Sequence, residues 1–294
     1  MPELPEVETV RRGLEPAMVH ARIEKLELHR PDLRFPFPPR FKARLEGQTI
    51  TALGRRAKYL LVDLSSGEVL IMHLGMSGRF TIHDPNGKSG KLGNLYHDSE
   101  RIGVHDHLIF RLSNGVSVTY NDPRRFGFMD LVPRAELQQS KHMKGIGVEP
   151  LGNALDSDLI RSLFEAKKAP LKAALLDQKN IAGLGNIYVC EALHRAHLSP
   201  KRKAATIATE KGAMKNAADD LATSIRDVLN AAVKAGGSSL KDFAQTDGSL
   251  GYFQHSFRVY DREGEPCPTP DCKGVIKRIV QSGRSTFFCP SCQK

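Results

Sequence analysis

The sequence predicts an α+β fold made of three parts, because the residue pattern changes twice along the chain. Alternating apolar residues in 1–135 predict a β-sandwich with flanking helices. Helical spacing takes over in 136–256 and predicts a helical domain. Residues 257–294 carry two cysteine pairs around two short strand patterns, which predicts a zinc-finger β-hairpin.

The N-terminal part begins with a helix and continues with strands. Apolar residues recur at helical spacing over 5–17. Two pairs of alternating segments flank short turn sequences and predict two hairpins, 58–64 with 68–74 and 107–112 with 116–120. Residues 84–101 are polar and rich in Gly, Asp, Asn and Ser, so we expect a loop there.

The middle part is helical from Asp156 to Ala235. Gly236 and Gly237 follow its last apolar positions and predict the end of the final helix. Residues 237–251 form a second Gly/Ser-rich segment, for which we expect a mobile loop.

Composition favours a polyanionic partner. The chain has 294 residues with 43 Lys and Arg against 33 Asp and Glu, a net charge of +10. Its 40% hydrophobic content suffices for two cores and a small appendage. The N-terminus has no signal-peptide pattern, and no apolar run approaches membrane-spanning length. We therefore expect a soluble cytoplasmic protein that binds no membrane.

Four of the five cysteines form a metal-binding pattern. They are Cys267, Cys272, Cys289 and Cys292, and sixteen residues separate the two pairs. Strand patterns at 275–280 and 285–288 bring the second pair opposite the first. Ordinary reduced cysteines rarely show this paired spacing, so we expect one structural Zn²⁺ with no open position for water. Cys190 is predicted to be a core residue of its helix.

Pro2 is a candidate nucleophile. Removal of Met1 gives Pro2 a free secondary amine, which attacks an electrophilic carbon and forms an iminium. An α-amino group titrates near ~8, so much of it is unprotonated at neutral pH. Glu3 lies beside it and can move protons. A proline followed by acids is also typical of a helix start, which leaves a purely structural interpretation open.

The N-terminal octapeptide closely resembles the start of the formamidopyrimidine-DNA glycosylases, the Fpg family of base-excision enzymes for oxidised purines. Its sequence is Met-Pro-Glu-Leu-Pro-Glu-Val-Glu. Three further stretches resemble the family in the family's order, so the resemblance spans essentially the whole chain. They are 55–61, the pair 73–78 with 122–127, and 175–188.

The resemblance implies four catalytic residues. Pro2 matches the family's nucleophile, and Glu3 matches the residue that moves protons at the sugar. Lys58 matches the catalytic lysine, which meets the phosphate next to the lesion. Arg284, in the zinc hairpin, matches the residue that holds the backbone beside the lesion.

The resemblance also implies the residues that handle DNA. Met76 and Phe126 lie on glycine-flanked turns, and such turns favour apolar wedges over core packing. Arg124 matches the residue that bonds the orphaned partner base. The remaining matches to DNA-binding positions are His105, Lys168 and Asn186. Residues 175–188 resemble the family's helix-two-turn-helix, in which Asn186 begins a helix with exposed amides.

The implied function is a bifunctional glycosylase and abasic-site lyase acting on double-stranded DNA with damaged bases or abasic sites. The expected protein is a monomer, bacterial and nucleoid-associated, whose segment 237–251 meets the extruded base. One alternative is the endonuclease VIII branch for oxidised pyrimidines, although residues 4–9 favour the Fpg branch. The other alternative, a non-catalytic DNA-binding protein, disagrees with an intact Pro2-Glu3.

The chain departs from the family pattern in two places. Four residues lie between Cys267 and Cys272, where the family commonly has two. The loop predicted at 84–101 is longer than in many relatives.

Overall fold

The computed structural model describes residues 2–84, 103–209, 212–238 and 251–294. The chain forms two compact units, Met1–Lys144 with Ala235–Tyr252 and Gly145–Lys234 with Phe253–Lys294. Nearly all of the loop predicted at 84–101, and most of the segment predicted at 237–251, lie outside the described residues. The division of the chain at residues 135 and 256 stays a prediction.

Helix α1 (Leu4–Met18) opens the first unit, which confirms the helix predicted there. Its buried residues recur at helical spacing because one face packs into the core of the unit. Glu3 is the residue at its N-terminal cap, and Pro2 precedes the helix. A short helix α2 (Phe41–Leu45) follows later in the chain.

Two antiparallel four-stranded sheets follow, and both predicted hairpins are confirmed. One sheet has the strand order β1 (Ile23–Leu28), β6 (Asp106–Leu112), β7 (Ser117–Asn121) and β5 (Arg79–His83). The other has the order β2 (Ile50–Arg56), β3 (Tyr59–Leu64), β4 (Glu68–His73) and β8 (Phe128–Pro133). Side chains from both sheets and from α1 form one core, which confirms the β-sandwich.

The helical pattern predicted from Asp156 to Ala235 is confirmed, and its helices lie in the second unit. Its helices are α3 (Ser157–Phe164), α4 (Leu171–Leu176), α5 (Asn186–Arg195) and α6 (Ala217–Lys234). Gly236 and Gly237, in the first unit, follow α6 with φ of +75° and +80°, a conformation that ends a helix and suits glycine. Among the residues that the structure describes, no helix is both long and apolar enough to cross a lipid bilayer.

The chain ends in a hairpin of strands β9 (Lys277–Gln281) and β10 (Arg284–Phe288), joined by Ser282 and Gly283. The hairpin confirms the strand patterns at 275–280 and 285–288, but β9 begins two residues later than the first pattern predicts. Val275 instead bridges Pro266, next to the first cysteine pair. We call β9 and β10 the zinc hairpin.

Candidate active site and nucleic-acid interface

Pro2 and Glu3 are both buried at the N-terminal end of α1. The main-chain N–H of Glu3 donates a hydrogen bond to Oε2 of Glu6, 2.9 Å away. Because Pro2 lies ahead of the helix, its nitrogen is not needed for the helical hydrogen-bond ladder. The amine predicted to be the nucleophile is therefore placed on a fixed end of a helix.

Glu6 is a residue that sequence reasoning missed. Its carboxylate is 2% exposed, and Oε1 accepts hydrogen bonds from the main-chain N–H (2.8 Å) and the hydroxyl (3.0 Å) of Ser238. Gly237 leaves no spare room, since an added Cβ would lie 3.1 Å from Cγ of Glu6. One carboxylate thus joins the start of α1 to the residue that precedes 239–250. A glutamate in the first turn of a helix is common, so the sequence does not indicate that Glu6 bonds to a residue as distant as Ser238.

Lys58 occupies the two-residue turn between β2 and β3 and is 6% exposed. The other turn residue, Ala57, has a left-handed φ of 54°. The guanidinium of Arg55 donates to the Ala57 carbonyl at 2.8 Å and pairs with Glu8 of α1 at 3.2 Å. Burial raises the pKa of Glu8, but hydrogen bonds and charges from the neighbouring arginines outweigh it and lower the pKa overall. An ion pair therefore joins the helix that follows Pro2 to the turn that carries Lys58.

His73, at the end of β4, is held as a neutral acceptor. Its Nδ1 accepts the main-chain N–H of Gly75 at 3.0 Å, and its ring stacks on Phe128 with centroids 5.2 Å apart. Burial, together with the charges of Lys58 and Arg34, lowers its pKa to about 4. The sequence pattern of residues 73–78 gives no sign of this role for His73.

Met76 and Phe126 lie on two turns that pack against each other, 74–78 and 122–127, which we call the paired turns. Gly75 makes the contact possible: its φ is +62°, and an added Cβ would lie 2.3 Å from the main chain of Phe126 and Gly127. Phe126 is 45% exposed and Met76 is partly exposed. Neither side chain is a fully buried core residue.

Asp122 holds the paired turns together, and sequence reasoning gave it no role. Its carboxylate is fully buried and accepts from the Ser77 hydroxyl (2.6 Å), the Gly127 N–H (2.8 Å) and the Tyr120 hydroxyl (3.3 Å). The Ser77 oxygen in turn accepts the main-chain N–H of Arg124 at 3.2 Å. A buried carboxylate with three donors fixes both turns.

Arg124 and His105 lie beside these turns. The guanidinium of Arg124 is 4.9 Å from the centroid of the Phe126 ring, a cation–π distance. The main-chain carbonyl of His105 accepts the N–H of Asp122 at 3.0 Å. The side chains of Arg124 and His105 are exposed. The structure therefore brings four of the predicted DNA-handling residues to one surface of the first unit: Met76, His105, Arg124 and Phe126.

Asn186 bonds to the strand that begins with Arg284, in the second unit. Asn186 begins α5 directly after Gly185, and its Nδ2 donates to the carbonyl of Ser285 at 2.9 Å. Arg284 is the neighbouring residue and is exposed at the start of β10. Lys168 is exposed between α3 and α4, where no described contact connects it to this pair.

A buried lysine, which sequence reasoning missed, forms hydrogen bonds to strand β10, the strand that begins with Arg284. Lys172 of α4 is fully buried, and its ammonium donates to the Ser285 carbonyl (3.0 Å) and to the Thr286 hydroxyl (2.6 Å). A buried ammonium needs such acceptors, because its charge has lost the contact with water. Together with Asn186 it fixes the position of the strand at Arg284.

The four predicted metal ligands lie together, all within 4.8 Å of one another. The sulfurs of Cys267 and Cys292 are 3.7 Å apart, as are those of Cys272 and Cys289. Tetrahedral Zn–S bonds of ~2.3 Å give sulfur separations of about 3.8 Å, so the cage fits one structural zinc. Cys190 is buried against this module beside Val259 and Phe287.

Three family models match the chain in sequence order. Residues 1–129 match the formamidopyrimidine-DNA glycosylase N-terminal domain. Residues 146–244 match the formamidopyrimidine-DNA glycosylase H2TH domain, and 264–294 match a zinc finger found in FPG and IleRS.

Full-length relatives agree with these matches. A formamidopyrimidine-DNA glycosylase of Rhodopseudomonas palustris is 59% identical over 294 residues and covers 100% of both chains. Lactococcus lactis Fpg in complex with DNA containing an abasic site has a TM-score of 0.84, with 33% identity and 99% of each chain covered. A variant of the Lactococcus lactis protein with DNA containing Fapy-dG has a TM-score of 0.83, with 33% identity and 100% of each chain covered.

Proposed function

The chain belongs to the formamidopyrimidine-DNA glycosylase family, and on this basis we propose how its own residues remove a damaged base and cut the strand. It is a DNA glycosylase and abasic-site lyase of base excision repair. The observation that carries the proposal is the buried Pro2-Glu3 pair at a fixed helix end. Burial there excludes water from the amine that must attack the sugar.

We assign the attack to the secondary amine of Pro2 after loss of Met1. The nitrogen bonds to C1′ of an oxidised purine nucleotide, such as 8-oxoguanine or a formamidopyrimidine, and the bond from C1′ to the base breaks. The ring-opened product is an iminium, whose positive charge acidifies the proton on C2′. Glu3 lies next to this amine and moves protons at the sugar.

Strand cleavage follows by two eliminations. Loss of the C2′ proton expels the 3′ phosphate, and a second elimination expels the 5′ phosphate, which leaves a one-nucleotide gap. We assign the phosphates to Lys58 and Arg284 because amine and guanidine side chains are the groups that pair with phosphate oxygens in proteins. The main chain next to each residue is held by a hydrogen bond, to the Ala57 carbonyl beside Lys58 and to the Ser285 carbonyl beside Arg284, and this supports the assignment.

We assign base extrusion to the paired turns. Met76 and Phe126 fill the space that the extruded nucleotide leaves, and Arg124 bonds the orphaned partner base. Their exposure supports this assignment, and the buried Asp122 keeps the turns rigid enough to push into the base stack. His105, Lys168 and Asn186 contact the DNA backbone.

The zinc ligands have a structural task. Cys267, Cys272, Cys289 and Cys292 would hold one Zn²⁺, which supplies a cross-link and no Lewis-acid chemistry, because four thiolates leave no open position. The residues of the hairpin do the binding: Arg284 is presented on a strand that Asn186 and Lys172 hold in place. We assign residues 1–135 as the catalytic domain, residues 136–256 as the DNA-binding domain and residues 257–294 as the zinc module. The enzyme acts as a monomer in the bacterial cytoplasm, with the nucleoid.

Borohydride trapping on an 8-oxoguanine duplex tests the nucleophile. We expect the native protein to form a covalent adduct, and Pro2→Gly or an uncleaved N-terminal tag to reduce adduct formation and strand cutting at least ~100-fold. The same tag at the C-terminus is the matched control and keeps the adduct. Peptide mapping identifies the attached residue. An adduct of normal yield through another residue, in a protein with a blocked N-terminus, would refute the assignment of Pro2.

A further inference from the structure

Two buried side chains of helix α5 contact the zinc module, residues 257–294. Glu191 is fully buried, and its carboxylate accepts the main-chain N–H groups of Arg258 (2.9 Å), Val259 (3.0 Å) and Tyr260 (2.9 Å). One turn further along α5 is His194, which is also fully buried. Burying a polar side chain costs free energy unless it forms a hydrogen bond, so the groups around His194 indicate why a histidine lies there.

The imidazole of His194 faces a zinc-ligating sulfur. Its Nε2 is 3.4 Å from Sγ of Cys267 and 3.4 Å from Oγ1 of Thr269. The other ring nitrogen, Nδ1, has no hydrogen-bond partner among the described residues. A neutral imidazole has a single N–H, and a zinc-bound thiolate only accepts. The proton therefore belongs on Nε2, and His194 is the donor.

Thr269 lies between the first two cysteines and supplies a second hydrogen-bonding group beside the zinc ligands. Its hydroxyl is 3.8 Å from Sγ of Cys292, so it bridges from His194 to a second ligand. Thr269 is one of the four residues between Cys267 and Cys272. The segment between these two cysteines thus supplies a hydroxyl at the point where α5 supplies an imidazole.

We propose that His194 and Thr269 form a hydrogen-bonded support that retains zinc by stabilising the thiolates of Cys267 and Cys292. Four thiolates around one Zn²⁺ carry surplus negative charge, and N–H and O–H donors spread that charge. Donors of this kind hold a ligand in its metal-binding state and orientation, and losing one commonly costs ~10–100-fold in metal affinity. The support also connects the metal to the helix that begins at Asn186.

The test is zinc release from the full-length protein into excess chelator, followed with a colorimetric zinc indicator. We expect His194→Phe, which keeps a ring but loses the N–H, to release zinc about 10-fold faster than the parent. His194→Gln restores a donor and should recover part of the difference. Thr269→Val should release zinc faster than the parent, by a smaller factor. His197→Asn alters a neighbouring exposed histidine and should release zinc at the parent rate.

Two results would overturn the proposal. One is a folded His194→Phe protein, by far-ultraviolet circular dichroism, that releases zinc at the parent rate; Thr269→Val at the parent rate would do the same if His194→Phe does not fold. The other is a cobalt-substituted parent whose absorption spectrum indicates three sulfurs and one nitrogen, because His194 would then be a ligand. A four-sulfur spectrum in the parent that His194→Phe shifts only slightly supports a hydrogen-bond donor.

Discussion

The paired turns and the zinc hairpin both present exposed side chains from short segments, but different forces hold them. In the paired turns, one buried carboxylate accepts from three donors, and Gly75 allows the main chains of the two turns to touch. In the zinc hairpin, most β9 side chains are exposed, and four cysteines form the cage beside it. Its β10 strand is fixed by Asn186 and Lys172 of the helices.

The difference follows from how much apolar surface each segment has available. The paired turns extend from strands whose side chains belong to a large core, so a few hydrogen bonds are enough to position them. The zinc module has a small cluster of buried residues, and small modules of this kind need a metal to fold. Loss of one support should therefore disturb the paired turns locally and the zinc module as a whole.

The largest effect is expected for Cys289→Ser. Loss of one ligand should remove the metal and, because the module depends on it, also weaken binding to lesion duplex at least ~100-fold. Elemental analysis gives the zinc content, and titration of lesion duplex gives the affinity. A zinc-free protein that binds DNA as tightly as the parent would show that the module is not needed for binding.

Arg284→Ala is the matched control within the same hairpin. Arg284 is exposed and is not a ligand, so the zinc content should stay at the parent level. Affinity should fall, and the salt dependence of binding should decrease by about one phosphate contact. If the salt dependence of DNA affinity is the same in Arg284→Ala as in the parent, Arg284 does not contact a phosphate.

Local sequence patterns predict the parts of the structure that are determined by residues close together in the sequence. Helix α1, both sandwich hairpins and the cysteine cage follow from periodicity and spacing within short windows. The roles of Pro2 and Lys58 came from resemblance, because their chemistry leaves no periodic signal.

Buried polar residues escaped prediction because their partners are distant in sequence. Glu6 and Ser238 are 232 positions apart, and Lys172 and Thr286 are 114 apart. A polar residue in a helical pattern is normally assigned to the solvated face. Only the fold reveals that Glu6, Lys172 and Asp122 are buried and satisfied.

Asp122→Asn should have the next largest effect. The amide keeps the shape but replaces one acceptor oxygen with a donor group, so either Ser77 or Gly127 loses its partner. We expect a loss of about 2 kcal/mol in the free energy of unfolding, measured by denaturant titration. Tyr120→Phe removes one longer hydrogen bond and should cost about 1 kcal/mol or less. Equal losses in the two variants would argue against Asp122 as the centre of the paired turns.

Met76→Ala and Phe126→Ala test what the paired turns do. If both side chains fill the space left by an extruded base, cleavage of duplex 8-oxoguanine should fall about 10-fold more than cleavage of duplex with an abasic site. An abasic site has no base to push out of the stack. Single-turnover rates on the two substrates give the ratio, and stability should stay near the parent value because neither side chain is fully buried. Identical losses on both substrates would indicate a general role in packing or binding.

The smallest effect concerns pH and the residue that precedes the paired turns. The pKa of His73 falls from 6.5 to about 4 in the folded protein, first because of burial and then because of the charge of Lys58. The unfolded chain therefore takes up a proton between those pH values and the folded chain does not, so stability is complete above pH 6.5 and declines as the pH falls towards 4. At pH 5.5 the contribution of His73 should be lower by about 1 kcal/mol than at pH 7. His73→Asn keeps an acceptor for the Gly75 N–H and cannot titrate. Denaturant titrations of this variant should therefore show a shallower pH dependence of stability than the parent, by that amount. If His73→Asn retains the full slope, other groups account for acid sensitivity, and the neutral state of His73 contributes nothing measurable to the stability of the turn.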